Sequence, residues 1–172
     1  MNWDIFDFAV FGAMLLGVGV VYALAKRRSN NTTYRFAVGV ALVAAFLLIW
    51  INGAVGIIGG ENNDANMMFF GVLVIGIVGA IIARLRPKGM ARAMYATAIA
   101  QALVAVIALV AKLGLAGASW PWDVLVLTGF FTMLWLFSAR LFRKAARHPL
   151  SDPLIKSPLG ERYTVLEKLW DE

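Results

Sequence analysis

The chain has 172 residues, 61% of them hydrophobic and 15% charged, and a formal net charge of +6, with a mean hydropathy of +0.77. Ordinary soluble domains are about 45–50% apolar and about 25% charged, so a water-soluble globular domain is excluded. The absence of cysteine and the single histidine, His148, remove disulfides, thiolate nucleophiles, iron–sulfur clusters, Cys-based zinc sites and most imidazole chemistry.

A bilayer crossing takes about 20 mostly apolar residues, and five runs qualify: residues 5 to 25, 34 to 58, 67 to 84, 93 to 115 and 122 to 141. The expected fold class is all-α, a polytopic membrane helical bundle with five transmembrane helices. Residues 1–147 form the transmembrane domain and 148–172 a cytoplasmic C-terminal tail. The first run opens with Asp4 and Asp7 and has neither a basic head nor a small-residue cleavage signal, so it reads as an uncleaved anchor with a translocated N-tail. The mature chain is expected to start near Met1. A short polar turn follows, Ser29 to Thr33. Its Asn30-Asn31-Thr32 and Asn31-Thr32-Thr33 match glycosylation sequons, whose use a cytoplasmic turn disfavours.

The second run leads into Gly53-Ala54-Val55-Gly56-Ile57-Ile58-Gly59-Gly60, where four glycines in eight residues make a regular helix costly. Either the helix ends near Asn52 and the glycine-rich stretch caps the outer interface, or the helix runs on to Gly59 and tilts. Next come Glu61, Asn62, Asn63, Asp64 and Asn66, oxygen donors of the kind calcium prefers but without the spacing of a calcium loop. The alternatives are a solvated turn that caps span three through Asp64 or Asn66, and contact with a partner's outer loop. Together with Asn52, these residues are the candidate partner or ligand contacts on that side.

Pro87 and Gly89 lie at the centre of the next connection, Arg84 to Arg92. They read as a helix stop and a turn, which makes spans three and four an antiparallel hairpin. Arg84, Arg86, Lys88 and Arg92 are placed to meet anionic lipid headgroups, or serve as topogenic charge. In span four, Gln101, one turn beyond Thr97, is the strongly polar side chain deep in a span; it is expected to hydrogen-bond a neighbouring helix or to contact a ligand. Lys112, near the outer end, is expected to snorkel or to pair with Asp4, Asp7 or Asp123, with a transport role as the other option. Small residues four apart, namely Ala37, Ala41 and Ala45, Gly76 and Ala80, Gly79 and Ala83, and Ala96 and Ala100, permit close helix contact within the chain or with a partner. Past Pro149, Pro153 and Pro158, residues 161 to 170 have the pattern of a short amphipathic helix with Val165, Leu166, Leu169 and Trp170 on one face. This is read as a docking tail, with a frayed terminus as the alternative.

Orientation follows from charge, because Lys and Arg in short loops stay cytoplasmic. With five spans, the cations at 26–35, 84–92, 140–147 and in the tail all fall on one face, and Lys112 alone on the other. The N-terminus is expected outside and the C-terminus inside. Aromatic residues agree: Trp3, Trp50, Trp120 and Trp122 fall at outer ends, and Tyr22, Tyr34 and Tyr95 at inner ends, with Trp135 mid-span.

Asp and Glu are missing from Phe8 to Gly60 and from Ala65 to Trp122. That argues against a proton-coupled carrier, which needs intramembrane ionisable groups. No span carries a histidine for haem ligation, and a Ser-His-Asp constellation lacks its base, since His148 lies in the tail. No catalytic, cofactor or metal site is expected.

The stretch Trp50-Ile51-Asn52-Gly53-Ala54-Val55-Gly56-Ile57-Ile58-Gly59, continuing to Asn66-Met67-Met68-Phe69-Phe70-Gly71-Val72 and on through Ala83 to Leu109, resembles a group of small, uncharacterised proteobacterial integral membrane proteins. The resemblance spans about residues 5 to 147 and implies a bacterial inner-membrane location without implying a mechanism. The expected function is a non-catalytic integral membrane accessory subunit that packs against a larger complex, respiratory or photosynthetic complexes being plausible hosts. The alternative is a small homo-oligomeric transporter or channel lined by Gln101, Thr97 and Gly53 to Gly60. The expected partners are the lipid bilayer and other integral membrane subunits, not nucleic acid.

Overall fold

The computed structural model describes residues 5–147 apart from 61, 116 and 118, with side chains described from residue 8 onward except that of 28. Among these residues the chain forms five long helices and no strand: α1 (Ile5–Arg28), α2 (Thr32–Ala54), α3 (Met68–Ile82), α4 (Pro87–Val110) and α5 (Trp122–Arg147). Each is long and apolar enough to cross a membrane. α3 by itself is about 22 Å long at ~1.5 Å per residue. A 3-10 turn over Asp64–Met67 precedes it and brings the span to about 30 Å, the thickness of a hydrocarbon core.

α5 packs on both α2 and α4, α4 packs also on α3, and every substantial contact of α1 is with α2. The helices thus run α1–α2–α5–α4–α3 across the molecule. Small residues set the close approaches. A Cβ on Gly79 would lie 2.7 Å from the Ala93 Cβ, and one on Gly76 would lie 3.3 Å from the Thr97 hydroxyl, so α3 and α4 are an antiparallel hairpin, as their short connection implies. Ala37 is fully buried, and its carbonyl accepts a 2.9 Å hydrogen bond from the Ser138 hydroxyl across the α2–α5 contact. The core between these four helices includes Leu48, Phe69, Val72, Phe131 and Phe142.

α2 stops at Ala54, near the earlier of the two ends the sequence allows: of the glycine-rich stretch only Gly53 and Ala54 are helical, and Ile57 and Ile58 in it are fully buried. The helix ends depart from the sequence expectation at two other places. Pro87 does not break a loop but starts α4 at its first position, where the missing N–H is no loss. Gly89 lies within that helix against Ala83, 2.7 Å from where its Cβ would be. The connection shrinks to residues 83–86, in which Arg84 and Leu85 are both left-handed with φ of 48° and 57°. α5 continues six residues past its expected end at 141, because Arg143, Lys144 and Arg147 can extend from a helix that has already left the hydrocarbon.

The turn between α1 and α2 is closed by its own polar groups. The Asn31 side chain caps α2 by accepting from the Tyr34 N–H, and Arg35 donates to the Ser29 carbonyl at 2.9 Å and to the Asn30 Oδ1 at 2.8 Å. Both sequon asparagines are therefore engaged in the turn. Tyr34, expected at the interface, is instead fully buried. Its ring meets Phe142 edge-on, and its hydroxyl donates to the Leu85 carbonyl at 2.8 Å.

Candidate functional site

Polar chemistry is concentrated in three places. At the end of the bundle away from the basic clusters, Asn66 holds the glycine-rich stretch in place. Its Oδ1 accepts from the Ile57 N–H at 3.0 Å and the Ile58 N–H at 2.9 Å, and its Nδ2 donates to the Gly60 carbonyl at 2.6 Å. Asn52, on the last turn of α2, donates to the Asn66 carbonyl at 3.0 Å. A segment that has left the helix has orphan N–H groups, and buried ones need partners; one asparagine supplies two. Asn63, rather than Asp64 or Asn66, caps the 3-10 turn by accepting from the Ala65 N–H. Asn62 and Asp64 are exposed, and Glu61 lies outside the described residues. The stretch also meets the α4–α5 connection backbone to backbone. A Cβ on Gly59 (φ 68°) would lie 2.5 Å from the Gly114 Cα, and Gly114 itself has φ 90°. Only residues without a side chain fit both the conformation and the contact. Beside it, the Trp120 indole donates to the Leu113 carbonyl at 3.2 Å.

The second place is the interior of the span. Gln101 is fully buried, and neither its Oε1 nor its Nε2 has a hydrogen-bond partner. Thr128 Oγ1 and Trp135 Nε1 on α5 are likewise buried and unpaired. All three sit on the inward stripes of α4 and α5, the two helices in most extensive contact. Thr97 differs from them: its hydroxyl donates back to the Ala93 carbonyl at 2.9 Å, so it satisfies itself within α4. The sequence singled out Gln101 as a polar residue in an apolar run. Trp135 stood out only as a mid-span tryptophan and Thr128 not at all, because their orphaned state depends on neighbours that only packing supplies.

The third place is the basic end. Ser29 and Asn31 from the first turn, Arg86, Pro87 and Lys88 from the start of α4, and Ala145 and Ala146 from the last turns of α5 line a cleft of about 440 Å3. Two of the four expected lipid-contact residues, Arg86 and Lys88, thus converge on one concavity. Arg84 and Arg92 are exposed outside its lining. Arg143 lies over the Tyr95 ring and donates to its hydroxyl at 3.2 Å. Lys112 stands exposed at the far end with φ 53°.

Among the described residues no group of three His, Cys, Asp or Glu side chains gathers as a metal site would require. The tail with Trp170 and its expected amphipathic helix lies outside the described residues, as do Trp3 and Asp4. No protein-family model, curated protein or solved structure matches the chain.

Proposed function

We propose that the chain is a non-catalytic integral membrane subunit of the bacterial inner membrane, with its N-terminus outside, its C-terminus cytoplasmic, and α1 as the helix that packs against a larger membrane assembly. The observation that carries this reading is the isolation of α1. Only 6% of its spanning stretch is buried, against 39% of α4. It holds to α2 through Phe11, whose ring meets Phe46 and Trp50 edge-on at 5.7 and 5.0 Å, and through the buried Ala25. Its three glycines, Gly12, Gly17 and Gly19, have no atom within 4 Å of where a Cβ would stand. Gly76 and Gly79 of α3 are used for contact with α4, whereas Gly53, Gly71 and Gly129 are single open positions on α2, α3 and α5; α1 gathers three such glycines on the least buried helix, which suits the close approach of another one.

The test is purification of the intact protein, gently solubilised from its native membrane, with mass spectrometry of what co-purifies at fixed stoichiometry. The Gly12→Leu and Gly19→Leu variants are run beside it. A Cβ at either position meets no atom of the described residues within 4 Å, so both variants are expected to fold normally and lose the co-purifying subunits. Recovery of the chain alone, from wild type and variants alike, overturns the reading.

A second reading, a small homo-oligomeric channel or transporter, is favoured by the unpaired Gln101, Thr128 and Trp135, since a wet path would hydrate such groups. It requires a defined homo-oligomer and a flux into vesicles that changes in Gln101 variants.

A further inference from the structure

We infer that the cleft at the basic end is a binding site for the phosphate of an anionic phospholipid headgroup. Among the described residues the molecule ends there in positive charge with no acidic side chain beside it. Lys26, Arg27, Arg35, Arg84, Arg86, Lys88, Arg92, Arg140, Arg143, Lys144 and Arg147 all lie at this end, while the carboxylates among the described side chains, Asp64 and Asp123, both lie at the other. Several of these cations are already committed: Arg35 stitches the first turn and Arg143 covers Tyr95. The Arg86 and Lys88 side chains are exposed, make no hydrogen bond to a group among the described residues, and line the cleft.

The lining has the two-part character of a lipid site. Arg86 and Lys88 supply positive charge and donors, Ser29 adds a hydroxyl, and Pro87, Ala145 and Ala146 make an apolar floor continuous with the helix ends. The volume, about 440 Å3, is in the range of small-molecule sites, ~300–1,000 Å3. Three connections far apart in sequence build the walls, and two of them are fixed to each other by the hydrogen bond from the Tyr34 hydroxyl to the Leu85 carbonyl. Arg84 and Leu85 hold left-handed backbone at a cost of roughly 1–2 kcal/mol each, and that turn delivers Arg86 to the mouth of the cleft. Because the cleft sits where the spans leave the hydrocarbon, it is at headgroup depth whichever way the bundle is inserted, so the inference does not depend on the orientation or partner proposed above.

The test is native mass spectrometry of the full-length protein released from nanodiscs that contain equal phosphatidylglycerol and phosphatidylcholine, with inorganic phosphate added in a separate arm. Wild type is expected to retain one phosphatidylglycerol in preference to phosphatidylcholine. A basic side chain near an anionic surface is worth about fivefold in binding. The Arg86→Gln/Lys88→Gln double variant is therefore expected to lose about 30-fold of the preference, ~2 kcal/mol at ~1.4 kcal/mol per tenfold. Its thermal midpoint in lipid-free detergent should stay at the wild-type value, since neither side chain pairs among the described residues. An Arg27→Gln/Arg140→Gln variant removes the same charge away from the cleft and should keep the preference. The inference is overturned if both double variants lose it equally, which would make the effect diffuse charge. It is also overturned if the cleft variant retains it, or if inorganic phosphate at millimolar concentration displaces the lipid completely, which would mark a free-anion site.

Discussion

Replacing Asn66 with alanine should be among the most damaging single changes at the glycine-rich end, and its cost can be worked from the hydrogen bonds it removes. Its Oδ1 serves two backbone N–H groups, those of Ile57 and Ile58, whose residues are 0% exposed. A buried donor left without a partner costs about 1–3 kcal/mol. The Nδ2 bond to the Gly60 carbonyl, at 2.6 Å, adds ~1 kcal/mol on a half-buried partner. Some relaxation of the loop recovers part of the loss, so Asn66→Ala is expected to destabilise by about 3–5 kcal/mol. Asn63→Ala, which removes one cap bond, should cost ~1 kcal/mol, and Asn62→Ala, at an exposed position, less than ~0.5 kcal/mol. The assay is reversible unfolding in mixed micelles, followed by far-UV circular dichroism. Because the chain has no cysteine, Ile58→Cys supplies a local probe that should resist maleimide alone and react readily when combined with Asn66→Ala. A loss under ~1 kcal/mol for Asn66→Ala, or equal losses for Asn66→Ala and Asn62→Ala, would refute the assignment of Asn66 as the clasp.

Other substitutions test the same physics elsewhere. Gly59→Ala demands a Cβ 2.5 Å from the Gly114 Cα at φ 68° and should cost more than ~3 kcal/mol or prevent folding, whereas Gly53→Ala, with open space around it in the last turn of α2, should be neutral or stabilising by up to ~1 kcal/mol; equal midpoints for the two would sink the close-contact account. Gln101→Met keeps the length and helix propensity of the side chain while removing an amide that has no partner, so the unfolding midpoint should rise by the equivalent of ~1–3 kcal/mol, and a fall would mean that the amide is satisfied in the membrane. Ser138→Ala removes the hydroxyl bond to the Ala37 carbonyl and should weaken the α2–α5 contact by about 0.6–1.7 kcal/mol, measured in the same micelles. For orientation, a single cysteine at Asn62 should be labelled by a membrane-impermeant maleimide on intact cells and one at Ser29 only after permeabilisation, with the reverse pattern inverting the proposed topology.

The five helices were legible because a stretch of about 20 apolar residues has few other uses, and the helices formed where the runs lay. Their ends were less legible, for local reasons. Pro87 looks the same in a sequence whether it stops one helix or opens the next, and only the two left-handed residues before it decide. Glycine-rich residues 53–60 were recognisable as a poor helix, and the break after Ala54 follows from that alone. What fills the gap did not follow, because Asn66 reaches N–H groups eight and nine residues back only once the loop has folded over it. Tyr34 shows the same limit: a tyrosine at a span end has the composition of an interfacial anchor, yet here it faces inward and ties α2 to the α3–α4 turn. In each case the sequence specifies the residue's chemistry, and the fold selects the partner.

The small residues make the argument for an outward-facing helix more specific than exposure alone. Ala37, Gly76, Gly79 and Gly89 are each consumed by a contact inside the chain, so at these positions the use is internal, while Ala96 of the spaced pair on α4 is exposed. α1 gathers three positions where such use is missing, against one each on α2, α3 and α5 (Gly53, Gly71 and Gly129): Gly12, Gly17 and Gly19 each carry the helix cost of glycine, about 1 kcal/mol relative to alanine, with no neighbour among the described residues that needs the space. Leu15 and Leu16 between them are exposed and would satisfy lipid as they stand, but lipid tails conform to any side chain and gain nothing from a missing one. A second helix does gain, because its backbone can come close enough for van der Waals packing along the whole seam. On the proposed reading the feature that offsets the cost is a helix of a partner, and α1 is the place on the molecule to look for it.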